Sequence, residues 1–392
     1  MSSRRDFLKV AVAGVAGLAI GGAGGWYGRE GEVEKYKKQV EDLMGKIGIQ
    51  LEDELDIFNW TWYANLNLVE DFAKEHNLKL VYDFYESNDE LISVLETGAQ
   101  AYDVVIPSAS YIPYLVQKGY LQPIDLDKIP NFEFIPDKFK NPEWDPDNQY
   151  TVVYSYGTTG IGYNAQFVPE GVKAWDDLFN VDNPDSIIRR HAGKITMLTE
   201  GDEVLSAAAI YLGYPIDTKD EKQLEDMANL CIKQKKYLYG YEGTDDYMEE
   251  LPVGDRYYIS QAWNGDIAGI VYESDEREVY VSKANEDIKY VVPEEGAVVW
   301  YDNFAIPKNA KHIEAAHAFI NWFLDPPISA IHTITIKYPY PAGIKYVPVE
   351  IREDPMIFVP EKLYDKLYWR ATNEEIEQLW TKYWQKVLAA PT

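Results

Sequence analysis

Cysteine is nearly absent. Cys231 alone in 392 residues excludes an internal disulfide framework and a thiolate metal cluster. Histidine is scarce as well, and His76, His191, His312, His317 and His332 show neither catalytic-triad nor metal-ligand spacing. No catalytic residue, metal or cofactor is therefore implied. Positive charge is the third shortage: 37 Lys and Arg stand against 65 Asp and Glu, for a formal charge of -28. That excludes a nucleic-acid partner, because phosphate binding needs clustered cations, and it is compatible with cationic small molecules. There is no repeat at a fixed period and no low-complexity tract.

One long uncharged run stands out, Val10 to Tyr27, preceded by Ser3-Arg4-Arg5-Asp6-Phe7-Leu8-Lys9. Together they resemble a twin-arginine export signal, which places the folded body in the periplasm or on the extracellular face of the membrane. The run is 18 residues long and diluted by glycine, near the lower limit for spanning a bilayer. Gly21-Gly22-Ala23 is a poor cleavage site, and no cysteine follows that could carry a lipid. Residues 1–27 are thus read as a signal or a retained membrane anchor, with Trp26 and Tyr27 at the interface in the second case. From 28 to 50 the apolar residues Val33, Tyr36, Val40, Leu43 and Ile47 recur at heptad spacing. Over two heptads this fits a helical stalk and a simple exposed linker helix equally.

An apolar content of 46% excludes general disorder, and the length suits two lobes with sizeable cores. Strand and helix signals alternate: strands at Leu55–Trp60, Leu78–Phe84 and Tyr102–Pro107, and helices through Leu68–Ala73, after Asn88 as cap to Gly98, and at Tyr111–Lys118. This predicts an α/β protein with open, doubly wound sheets whose ligands sit beyond the carboxyl ends of the strands. Asn131 to Asp147 reads as an irregular excursion, and Val152 to Gly157 as a strand crossing into a second lobe. There a strand at Lys194–Leu198, helices at Glu200–Leu212 and Lys219–Lys236, and a strand at Tyr257–Trp263 are expected. Val299 to Pro307 is the expected return crossing, followed by a helix at Lys311–Leu324, a proline-broken loop with Tyr338 and a helix at Glu374–Leu388. The expected organisation is 51–156 for the first part of lobe 1, 157–299 for lobe 2, and 300–392 for the return to lobe 1 and the C-terminal helix.

Four clusters at element ends carry the chemistry: Trp60 with Trp62 and Tyr63; Glu200 with Glu203; Trp263 with Asp266; Trp300 with Asp302. In a strand, Trp300 and Asp302 share a face. An indole beside a carboxylate offers a cation both a ring face and an anionic acceptor, which suits an amine. Glu200 and Glu203 share a face at a helix start, and a capping box of Thr199 with Asp202 would leave both free. Cys231 lies with Leu224, Met227 and Ala228 at helical spacing, as an apolar face residue does.

In order along the chain, Phe58-Asn59-Trp60-Thr61-Trp62-Tyr63, Tyr85-Glu86-Ser87-Asn88, Tyr102-Asp103-Val104-Val105-Ile106-Pro107-Ser108, Glu203 ahead of Leu212-Gly213-Tyr214, Trp263-Asn264-Gly265, Trp300-Tyr301-Asp302 and Tyr338-Pro339 resemble the spermidine/putrescine-binding proteins of bacterial ABC transporters. The resemblance runs from about residue 55 to 388. It implies a two-lobed type II periplasmic binding protein fold, with a hinge between doubly wound lobes, that captures a polyamine and delivers it to the permease of an ABC importer. The ligand-binding residues it implies are Trp60, Tyr63, Ser108, Glu200, Glu203, Trp263, Asp266, Trp300, Asp302 and Tyr338. Three positions depart from the family pattern. Trp62 stands where an acid is common, and Ser110 where the spermidine type has a tyrosine, with Tyr111 adjacent as a substitute. Arg370 falls where a glutamine contacts ligand. There it either pairs with Glu200 or another acid, or meets a ligand carboxylate, or lies exposed to solvent outside the site. The alternatives in function are a binder of another cationic solute, such as a basic amino acid or a quaternary amine, and, remotely, a thiaminase-like enzyme using Cys231.

Overall fold

The computed structural model describes residues 51–275 and 278–391. The expected export signal and stalk lie outside the described residues. The strands are β1 (Glu54–Trp60), β2 (Lys79–Tyr85), β3 (Val104–Val105), β4 (Leu121–Gln122), β5 (Thr151–Asn164), β6 (Ile195–Leu198), β7 (Gly240–Glu242), β8 (Ile259–Trp263), β9 (Tyr272–Asp275), β10 (Glu278–Lys283), β11 (Ile288–Val291), β12 (Ala297–Pro307) and β13 (Leu367–Tyr368). Eleven form one sheet in the order β2-β1-β3-β12-β5-β8-β6-β7, with β4 and β13 on β12 and β11 on β5; β9 and β10 form a separate hairpin.

The two outer parts of this sheet are parallel, β1 with β2 and β3 and β6 with β7 and β8. Strands covered by helices on both faces read as nearly continuous apolar runs. The long antiparallel pair β5 and β12 joins the two parts, with Trp300 opposite Gly157, Asp302 opposite Ser155, and a register shift between Asp302 and Asn303. Apolar side chains gather separately on either side of this pair. Leu55, Phe72, Val104, Tyr154, Phe304 and Phe323 belong to one cluster. Leu198, Leu205, Met227, Ile259 and Trp380 belong to another.

Several local expectations change for identifiable reasons. Ser87, not Asn88, caps the helix Asn88–Thr97, accepting a hydrogen bond from Glu90 N at 3.2 Å, while Gly98 ends it at φ +60° as expected. The capping box of Thr199 and Asp202 does not form. Glu200 is the N-cap of the helix Gly201–Leu212 and makes no side-chain cap bond; Thr199 instead donates to the Glu200 carboxylate at 3.1 Å. The proline-broken loop holds a helix, Pro326–Ile336. Its prolines occupy the first turn, where no intrahelical N–H is required. The helix closes at Lys337, at φ +68°, which turns the chain into Tyr338. The last helix, Glu374–Ala389, buries Trp380, Tyr383, Trp384 and Val387 and packs against the helices Gly201–Leu212 and Glu221–Lys235. Cys231 is buried with Leu224, Met227 and Ala228. No helix among the described residues is long and apolar enough to cross a membrane.

Candidate functional site

The junction of β5 and β12 brings together several of the expected site residues. Asp302 is 5% exposed and accepts two hydroxyl hydrogen bonds, from Tyr63 at 2.8 Å and from Ser108 at 2.7 Å. Ser108 is held in turn by Asn88, whose Oδ1 accepts from Ser108 N and whose Nδ2 donates to Ser108 Oγ, each at 3.1 Å. Asn88 thus serves the site and leaves the helix cap to Ser87. Both partners of the Asp302 carboxylate are neutral, so burial prevails over the hydroxyl bonds and its pKa is pushed up to about 6.

Aromatic rings surround this carboxylate. The Trp300 indole lies so close to Gly157 that a Cβ there would collide with it, and Gly265 makes the same allowance for the Tyr338 ring. Tyr338 meets Trp300 and Tyr63 edge to face, each with ring centroids 5.3 Å apart. Its hydroxyl donates to Asp266 Oδ1 at 2.6 Å, and Tyr247 donates to the other oxygen. Asp266 repeats the pattern of Asp302: two tyrosine hydroxyls favour the carboxylate, and burial overrides them and raises it to about 6. Trp60 is half-buried at the end of β1; its Nε1 donates to Ile106 O at 2.9 Å and its ring packs 4.7 Å from Tyr85. Trp263 ends β8 opposite Thr159.

Two further acids come from the start of the helix Gly201–Leu212. Burial, then the charges of Asp202 and Asp266, raise Glu200 to about 6. Burial first, and Asp202 second, raise Glu203 to about 8. Glu203 Oε2 and Trp300 Nε1 are buried without a hydrogen-bond partner. Such orphaned atoms are rare in native proteins and call for an explanation.

A family model described as bacterial extracellular solute-binding protein matches residues 67–358. The chain belongs to that family. This solute-binding protein is 33% identical over 343 residues to the putrescine-binding periplasmic protein SpuD of Pseudomonas aeruginosa, covering 84% of this chain and 91% of that protein. It is 30% identical over 346 residues to the spermidine/putrescine-binding periplasmic protein of Salmonella typhimurium, with 86% and 92% covered. Among solved structures it resembles the spermidine/putrescine ABC transporter substrate-binding protein PotD from Streptococcus pneumoniae, at 26% identity and a TM-score of 0.70, covering 86% of this chain and 98% of the other. The fold is the expected two-lobed type II arrangement, and proteins of this family are not enzymes.

Not every expected residue of this solute-binding protein joins the cluster. Trp62 is 72% exposed with φ +56°. Arg370 is buried instead of solvent-exposed, and it pairs with acids other than Glu200. Its Nη2 lies 2.7 Å from Asp202 and its Nη1 3.0 Å from Glu377, with the guanidinium 5.2 Å from the Trp380 ring. Tyr111 lies within the field of Asp202, Glu377 and Arg370, and its burial pushes the phenol upward. Tyr247, Asp202 and Glu377 are contacts that no local pattern announces, because each meets its partner only through the fold. None of the clustered acids lines the open depression around Pro123, Asp125 and Gln149.

Asp56, Asp103 and His312 come close enough to one another to hold a metal ion. Asp103 is already engaged, however. It accepts from the backbone N–H of Asp56, Lys311 and His312, and its Oδ2 lies 2.8 Å from His312 Nδ1. This arrangement anchors the start of the helix Ile313–Phe323 to β1.

Proposed function

We propose that this protein captures polyamines of the putrescine and spermidine class outside the cytoplasm and delivers them to the permease of an ABC importer. One observation carries the reading: Asp302 is buried beside an indole with only neutral hydroxyl partners. A buried carboxylate lacking a cation is unfavourable, and an ammonium ion is the partner this environment lacks. Asp266 is placed in the same way by Tyr247 and Tyr338. Asp302, Asp266, Glu203 and Glu200 would hold ammonium groups. Trp300, Trp263, Trp60, Tyr63 and Tyr338 would cover the methylenes between them, with Ser108 fixing Asp302. The names of the relatives point to the same ligand class.

Arg370 does not favour a ligand carboxylate, since Asp202 and Glu377 already neutralise it. The amino-acid-binding alternative loses its main support. Residues 51–156 with the return from 300 form one lobe in this reading and 157–299 the other, and the C-terminal helix Glu374–Ala389 packs against the helices of 157–299. Ligand binding stabilises the closed form, with β5 and β12 as the connection that bends. Twin-arginine export, with anchoring if the signal is retained, accounts for residues 1–27. Calorimetry against putrescine, spermidine, choline and arginine tests the function: the two polyamines bind, and failure of every amine to bind overturns it.

A further inference from the structure

Tyr156 on β5 and Tyr301 on β12 are register partners. Each lies between residues of the carboxylate site's face, Ser155 and Gly157 on one strand and Trp300 and Asp302 on the other, so strand alternation turns both tyrosines to the opposite face of the connection. Two segments meet over them. The first, Asn131 to Trp144, goes with the lobe of β1: Ile135 and Phe139 are buried in the cluster that holds Phe72 and Phe304, and Asn131 makes two hydrogen bonds to Asn321 of the helix Ile313–Phe323, at 2.9 and 2.8 Å. The second, Tyr364 to Arg370, is tied to the lobe of β6. There β13 pairs with Ala297 and Val298, Lys366 donates to Glu294 O, and Arg370 pairs with Asp202.

The two segments touch each other directly. Trp144 packs against Trp369 with ring centroids 5.3 Å apart, and Lys138 Nζ lies 5.1 Å from the centroid of the Tyr364 ring. Both contacts rest on the connecting strands. Trp144 stacks on Tyr301 at 5.0 Å, and its Nε1 donates to Asn303 Oδ1 at 3.1 Å, beside the register shift between Asp302 and Asn303. Lys138 Nζ is also 5.7 Å from the centroid of the Tyr156 ring. The lobes are therefore joined behind β5 and β12 as well as through them. A bend of these strands that brings the lobes together on the Asp302 face draws them apart on the face of Tyr156 and Tyr301. The motion that ligand binding requires thus pulls on both contacts.

We propose that the Lys138–Tyr364 and Trp144–Trp369 contacts form a strap behind the connecting strands that opposes closure of the lobes and so holds down the affinity for ligand. The proposal rests on the amine-binding and hinge reading above. Apparent affinity scales with the fraction of protein in the binding-competent form, so loosening the strap strengthens binding from the face opposite the site. The test is calorimetry with putrescine and spermidine on the full-length protein and its Tyr364→Ala and Trp369→Ala variants. Tyr364 is 41% exposed, so its removal leaves the core intact. Tyr364→Ala raises the affinity for both amines about two- to fivefold, the effect of one exposed cation–ring contact, and Trp369→Ala raises it about two- to tenfold, the effect of one aromatic pair. Loss of packing alone does not produce tighter binding. In the opposite direction, a short bismaleimide that bridges Lys138→Cys and Tyr364→Cys in one chain fixes the spacing behind the strands and weakens both amines relative to the same variant left unbridged; Cys231 is fully buried and does not compete for the reagent. Unchanged or weaker binding in the two alanine variants, or a bridge that leaves affinity as it was, overturns the proposal. A wild type that binds no amine refutes the parent reading instead.

Discussion

Replacing Asp302 by Asn separates what this residue does for binding from what it costs the ligand-free protein. Its carboxyl is raised from 3.8 to about 6 by burial. A shift of about two units corresponds to about 3 kcal/mol. Because the folded pKa lies above the unfolded one, the stability linked to this group is fully present below about pH 4 and lost as pH rises through about 6. At pH 7 the ligand-free wild type therefore carries a penalty of about 3 kcal/mol for holding the ion. Asparagine removes that penalty and keeps the shape, but its amide accepts through one oxygen only, so one of the bonds from Tyr63 and Ser108 weakens, at about 1 kcal/mol. The expected net change is a stabilisation of about 2 kcal/mol at pH 7, vanishing or reversing slightly at pH 4. Ligand affinity falls at least about tenfold, since a charge-assisted contact contributes about 1.5–3 kcal/mol. Urea unfolding without ligand at the two pH values, together with calorimetry using spermidine, reads both effects. A variant less stable than wild type at pH 7, or one with unchanged pH dependence, refutes the electrostatic reasoning. Unchanged affinity removes Asp302 from the site.

Arg370→Met leaves Asp202 and Glu377 without their shared cation; because both acids are partly exposed, the expected loss is about 2–3 kcal/mol, below the range for a fully buried pair, measured as a lower urea midpoint. The Cys231 thiol is fully buried and pushed up to about 12 by burial, so it should react with a thiol reagent such as Ellman's reagent only after denaturation; rapid labelling of the native protein would reopen the cysteine-enzyme alternative. Replacing both Arg4 and Arg5 by Lys should leave the protein in the cytoplasm, and normal export of that variant would argue against the twin-arginine route.

The strands, most helices and the aromatic and acidic clusters were legible because each is written in a short stretch. Apolar runs such as Leu55 to Trp60 and Tyr102 to Pro107 are adjacent in sequence and buried together, and Gly98 ends a helix wherever that helix lies. The choice between Ser87 and Asn88 as cap was not legible: both residue types cap well, and the outcome turns on Ser108, 20 residues away, which engages Asn88. The prolines at 326 and 327 signal a break but sit where a helix tolerates them.

By itself the sequence determined the fold class and the family, and it supplied the candidate residues for an amine site, since these depend on residue type and on spacing along one strand or helix. The tertiary structure decided which charges are compensated. Arg370 meets Asp202 across 168 residues and is thereby neutralised, whereas Asp302 meets Tyr63 and Ser108 across 239 and 194 residues and receives only hydroxyls. The free energy of a buried charge depends on what surrounds it in space. Only the folded chain shows that the buried carboxylates of Asp302 and Asp266 are held by hydroxyl groups and not by a protein cation among the described residues.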